Sequence, residues 1–92
     1  MEFEWDGEKN VANIRKHQID FADVSEMFDG PMLVELDSRV GYGEERYIGT
    51  GFLQSGVAVV VYVERIDNVI RIISARKATK HERKRFEQYL SD

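Results

Sequence analysis

The sequence contains no cysteine. That excludes a disulfide framework and any thiolate-bound metal, the two devices on which small secreted domains usually depend. Histidine is scarce, and neither His17 nor His81 belongs to an H-x-x-x-H or H-E-x-x-H pair, so no metal site is expected. Long hydrophobic runs are missing too. The longest, Val57 to Val63, falls far short of a bilayer span, and the acidic opening MEFEWD lacks the basic segment that begins a signal peptide. A cytoplasmic protein without membrane contact is the expectation. The glycines of GYGEE precede a strand pattern rather than a helix, so there is no phosphate-cradling loop, and Ser74 has no His and acid partners in sequence for a nucleophilic triad. No cofactor is expected.

What is present describes one globular domain over residues 1–92, with 42% hydrophobic and 33% charged residues and no low-complexity tract. The formal net charge of −4 hides two poles. Residues 1–45 hold twelve Asp or Glu against four Lys or Arg, whereas Arg71 to Phe86 hold seven Lys or Arg against Glu82 alone. The basic pole suits a polyanion, and the acidic half suits a basic protein partner.

The coarse pattern is β, α, α, four β, α. A short strand at FEW leads to Asp6, an N-cap for a helix through about His17, along which Lys9, Asn13 and Lys16 or His17 form one polar stripe. Asp20 caps a second short helix, ended by DGP at Asp29 to Pro31. Four extended segments follow, MLVEL, ERYIGTGFL, VAVVVYVER and VIRIISAR. They are separated by a polar connection around Asp37 to Glu44, by Gln54 to Gly56, and by Asp67 with Asn68. Short links favour an antiparallel meander, and the β-branched run Val57 to Val63 reads as its central strand. Thr79 and Glu82 form a T-x-x-E capping box that opens a last helix. The fold class expected is therefore α+β, with helices on a four-stranded antiparallel sheet, a short extra N-terminal strand and a C-terminal helix.

A two-residue turn at Asp67 and Asn68 would place Arg65 opposite Ile70, Glu64 opposite Arg71 and Val61 opposite Ser74. Unless a bulge intervenes, Arg65, Ser74 and Arg76 then share one face, and Glu64 pairs with Arg71 on the other. Cations and carboxylates on a sheet suffice for metal-free RNA cleavage. The substrate's 2′-hydroxyl is the nucleophile, so the protein supplies a base, an acid and cations for the anionic phosphorane. Arg65 and Arg76 suit the charge, because the guanidinium fork matches phosphate geometry. Glu64, Lys9 and His17 are candidates for proton transfer, among which the sequence does not choose.

The succession FEWD (Phe3 to Asp6), Lys9, Asn13, KH (Lys16, His17), Phe21, Phe28, Pro31, GEER (Gly43 to Arg46), VVVYVER (Val59 to Arg65) and IRIISARKAT (Ile70 to Thr79) resembles the BrnT family of toxins from bacterial type II toxin–antitoxin systems. The resemblance implies a RelE-like ribonuclease fold, metal-independent RNA cleavage that arrests growth, and a ribbon-helix-helix antitoxin, BrnA, as partner. Operator DNA would be met only through that antitoxin. By position, the matching residues are Trp5, Asp6, Lys9, Asn13, Lys16, His17, Arg46, Glu64, Arg65, Arg71, Ser74, Arg76 and Glu82, and the match does not carry their individual roles. Among them Trp5, Asn13, Lys16, Arg71 and Ser74 are candidate RNA contacts beside the catalytic candidates Arg65, Arg76, Glu64, Lys9 and His17. Lys77 and Lys80 of the basic run are further phosphate contacts. The chain departs from the family pattern at Gly7, where Pro is common, at Gln18, where Gly is usual, and at Phe86, where a Tyr often stands. The rival expectation is a non-catalytic module that binds RNA or a basic antitoxin without cutting.

Overall fold

Alternation of apolar residues at Phe3 and Trp5 makes the first segment a strand, and its pairing changes the sheet expected from sequence. In the computed structural model β1 (Glu2–Trp5) lies parallel to the last strand, so the sheet is five-stranded and mixed, in the order β1-β5-β4-β3-β2. The other strands are β2 (Met32–Leu36), β3 (Tyr47–Leu53), β4 (Gly56–Arg65) and β5 (Val69–Lys77), joined as an antiparallel meander. Three helices accompany them: α1 (Gly7–His17), α2 (Phe21–Val24, continued by a 3₁₀ segment Ser25–Asp29) and α3 (Lys80–Ser91). The structure describes residues 1–39, 41, 43–54 and 56–92. Val40 and Tyr42 of the expected polar connection and Ser55 of the Gln54–Gly56 turn lie outside the described residues.

The helix caps are as local chemistry dictates. Asp6 accepts from the backbone N–H groups of Glu8 (2.9 Å) and Lys9 (3.1 Å). Asp20 accepts from Ala22 N–H and from the Asn10 side chain, both at 2.9 Å. Thr79 and Glu82 close a reciprocal capping box. The departure at Gln18 is legible here: it ends α1 in the left-handed conformation (φ 58°, ψ 33°) that glycine usually occupies, with its side chain returning to Arg15 O.

The core lies on the sheet face covered by α1 and α2. Ala58, Val60 and Tyr62 of β4 and Ile70, Ile72 and Ala75 of β5 pack against Ile19, Phe21, Val24 and Met27. Trp5 meets Phe21 edge-on at 6.3 Å, and Met32 lies across β3. Gly51 makes that crossing possible, since a Cβ there would stand 2.9 Å from Met32 Cγ and 3.2 Å from Pro31 O. Burial pushes the Tyr62 phenol up to about 12, helped by Glu64 on the same face.

On the opposite face one end is roofed by a helix. There α3 crosses β3 and β2, with Phe86 fully buried against Phe52 and Arg85 paired with Glu35. The Phe86 departure thus fills the contact that seats α3. Tyr89, stacked on Phe86, is half exposed.

Candidate functional site

Strand register decides which charged residues meet. The turn between β4 and β5 holds three residues, Ile66 to Asn68, with Asp67 and Asn68 both in left-handed conformation, so Arg65 lies opposite Val69 and Arg71 opposite Val63. A bulge then takes up Ile73 and returns the ladder to Val61 opposite Ser74. The expected Val61–Ser74 pairing is therefore found, while Arg65–Ile70 and Glu64–Arg71 are not. As a consequence Arg65, Arg71, Ser74 and Arg76 project from the same face, the one away from α1 and α2. Glu64 projects from the other face beside Tyr62, and the ion pair expected between it and Arg71 does not form.

Arginines and carboxylates alternate across this open face. Arg76 forks Glu82, Nη1 to Oε1 at 2.7 Å and Nη2 to Oε2 at 2.8 Å, while Glu82 Oε1 also accepts the Thr79 backbone N–H. The fork raises the pKa of Arg76 and holds the Glu82 carboxyl well down, at about 2, chiefly through the Arg76 bonds, which outweigh the opposing effect of burial, with the Thr79 N–H adding to them. The connection after β2 brings a second fork, Arg39 on Asp37 through Nε at 2.9 Å and Nη2 at 2.8 Å. Asp37 is 1% exposed, and those bonds lower its pKa. Arg39 stands near enough to Arg76 to oppose its charge. At the far end Glu4 of β1 bridges Arg71 (3.0 Å) and Arg65 (3.2 Å), and Glu44 approaches Arg46 and Arg65 at 3.7 and 3.9 Å.

The face has a length as well as a sign. Arg76 stands opposite Val59, six residues up β4 from Arg65, which sets the two Cα positions about 20 Å apart along the strand. With Glu82 holding one guanidinium and Glu4 the other, Arg65 and Arg76 do not converge on one phosphate.

A model of the family described as the ribonuclease toxin BrnT of type II toxin–antitoxin systems matches residues 5–82. The chain belongs to the BrnT family. Its fold is similar to the 1.1 Å crystal structure of the Brucella abortus ribonuclease toxin BrnT, with a TM-score of 0.68 and 26% identity over 87% of this chain and 99% of that one. A sequence search of curated proteins finds no match.

The remaining candidates of this BrnT-family chain are distributed by α1. Asn13 is 7% exposed, and its amide is wholly engaged: Nδ2 donates to Ile19 O (3.0 Å) and Ala75 O (2.9 Å), and Oδ1 accepts from Ala75 N–H (3.1 Å). β1 stops pairing with β5 at Ile72, and the Asn13 amide continues the ladder where the strand ends. Lys9 and His17, one helical turn either side of Asn13, therefore flank the β5 edge, Lys9 exposed and His17 half-buried. Asp6 sits by both Lys9 and Arg71, and the N–H of Lys9 chiefly keeps its carboxyl low. Lys16, Lys77 and Lys80 are exposed. Trp5 is spent on the core side. Among the described residues no group of three or more His, Cys, Asp or Glu is placed to hold a metal ion, and no helix is long and apolar enough to cross a membrane.

Glu4, Asp37 and Arg39 were not singled out by sequence. Glu4 had a signal, since it alternates with Phe3 and Trp5, but only pairing with β5 gives it partners. Arg39 lies in a connection without periodicity.

The Glu82 carboxyl makes a prediction. Its folded pKa of about 2 lies below the ordinary 4.5, so its contribution to stability is complete above about pH 4.5 and is lost as pH falls through 2. Thermal melts from pH 7 to pH 2 should show wild type exceeding Glu82→Gln by about 2 kcal/mol at pH 7, after allowance for the partial exposure of Glu82. The two should converge at the acid end. A gap that persists at pH 2 would detach the effect from ionisation.

Proposed function

We propose that this chain is a metal-independent endoribonuclease, a single toxin domain of RelE-like architecture over residues 1–92. In this reading it acts in the cytoplasm, arrests growth by cutting RNA, and is neutralised by a BrnA-like ribbon-helix-helix antitoxin. That antitoxin carries any contact with operator DNA. The observation that carries the reading is the open face, where Arg76 is locked in a fork-on-carboxylate geometry beside Ser74 and Arg39, in a member of a ribonuclease toxin family. A guanidinium held this way is preorganised for the charge that develops on a phosphorane.

Chemistry follows from that placement. RNA laid across the open face presents a phosphate to Arg76, the 2′-hydroxyl attacks it, and the 5′-oxygen leaves with a proton. His17, one turn beyond the Asn13–Ala75 contact and so near the Arg76 end of β5, is the proton-transfer group in this reading. Lys9, at the Arg71 end, serves the negative charge of the bound strand, along with Lys16, Lys77 and Lys80. Glu64 is left out, because it projects from the core face at the β4–β5 turn, the end of the sheet far from Arg76, whereas Lys9 and His17 stand at the free edge of β5.

Purified protein incubated with RNA in chelator should yield fragments ending in 2′,3′-cyclic phosphate. Absence of cleavage across varied RNA substrates would overturn the enzyme reading. Salt-sensitive binding without cleavage would leave the module that binds RNA without cutting.

A further inference from the structure

The carboxylates that hold the arginines of the open face are of two kinds. Glu82 gives Arg76 both oxygens, serves the α3 cap as well, and is 25% exposed in its side chain. Glu4 offers Arg65 and Arg71 a single atom, Oε2, shared between Arg71 Nη1 and Arg65 Nε. The three side chains are 42%, 31% and 45% exposed, and an ion pair so open to water holds its partners weakly.

We propose that Arg65 and Arg71 form a second phosphate site, for an RNA phosphate remote from the one cut at Arg76, and that Glu4 occupies this site until RNA displaces it. The inference rests on the proposed RNA substrate. Two guanidiniums on neighbouring strands would repel one another. Glu4 Oε2 between them keeps them together, at the position where a phosphate oxygen bridges two arginines, while Glu44 Oε1 stands farther off, 3.9 Å from Arg65 Nη2, and forms no ion pair with Arg71 among the described residues. A phosphate diester brings two unesterified oxygens and can give each guanidinium its own acceptor, so the exchange favours the nucleic acid. The bridge lies about 13 Å along β4 from Arg76, four residues by register from Val63 to Val59, so the two sites take different phosphates of the same strand. Glu4 thus sets a threshold against anions too weak to displace it, and its place in β1 explains why a short parallel strand bears on RNA binding.

The test uses the full chain and a 2′-O-methyl RNA oligonucleotide, which binds but has no 2′-hydroxyl nucleophile, followed by fluorescence anisotropy. Glu4→Gln should tighten binding about three- to fivefold, the factor expected on removing a weak competing ion pair. Arg71→Ala should weaken binding, flatten its salt dependence, and cancel the gain when combined with Glu4→Gln. Glu87→Gln, which removes an exposed acid on α3, separates this effect from net charge. Weaker or unchanged binding by Glu4→Gln, or an equal gain from Glu87→Gln, overturns the proposal. Wild-type cleavage of unmodified RNA is measured in parallel. Cleavage without the Glu4→Gln gain sinks the second site alone, whereas the gain without cleavage keeps the site and sinks the nuclease.

Discussion

Replacing Asn13 with Ala is expected to destabilise the fold by about 3–5 kcal/mol, because it strands three buried backbone groups at once: Ala75 N–H, Ala75 C=O and Ile19 C=O. That is a large share of the roughly 5–15 kcal/mol available to a domain of this kind. The cost is high because of where β1 ends. Beyond Ile72, β5 has no neighbouring strand on that side among the described residues, and the side-chain amide supplies a donor and an acceptor in the positions a continuation of β1 would have filled. Asn13→Asp should do no better: it keeps an acceptor for Ala75 N–H but sets a carboxylate against two carbonyl oxygens. Urea unfolding with an unchanged slope and a lowered midpoint is the expected signature. Asn13 is also a candidate RNA contact from its place in the polar stripe of α1, so the same variant separates two roles. Where it remains folded it should bind RNA as wild type does, and loss of binding at full stability would return Asn13 to the RNA surface.

Asn13 also shows where sequence reading reaches and where it stops. Its helical spacing with Lys9 and His17 was legible, and the stripe exists. What the stripe faces was not, because periodicity defines a helix face but not the edge it docks against. Locally encoded features were read directly: the caps at Asp6 and Asp20, the Thr79–Glu82 box, and the buried run of β4. Pairings encoded by distant parts of the chain were not. Nothing in FEW states that it lies parallel to VIRI, and without that pairing Glu4 has no partners and the sheet counts one strand too few. The β4–β5 register shows a subtler limit. The loop is one residue longer than a two-residue turn and the bulge at Ile73 compensates, so reasoning from the turn placed Ser74 correctly and misplaced Arg71. A one-residue slip flips a face, and here it separated Arg71 from the arginines it stands among.

Arg76→Ala is expected to lower kcat/KM for RNA by about 10²–10³, the loss typical of removing one preorganised group that stabilises transition-state charge. The orientation of the Arg76 guanidinium is set by the fold. Both of its terminal nitrogens are fixed by Glu82, and Glu82 is itself fixed by the Thr79 N–H at the start of α3. Its position is therefore built into the strand-to-helix junction and needs no rearrangement when RNA arrives. A lysine at this position keeps the charge but loses the planar fork, so Arg76→Lys should recover no more than about tenfold of the loss, whereas a purely structural ion pair would be restored more fully. Stability supplies the control. With Arg76 41% exposed, the pair is worth about 1 kcal/mol to the fold, so the Ala variant should melt only a few degrees below wild type and stay folded at the assay temperature. Single-turnover cleavage at saturating protein, compared with anisotropy on the uncleavable RNA, places the effect. Loss in the cleavage step with binding nearly intact assigns Arg76 to the reacting phosphate. An equal loss in both would make it one more cation along the bound strand, and the cut would then have to be sought at the Arg65–Arg71 end of the face.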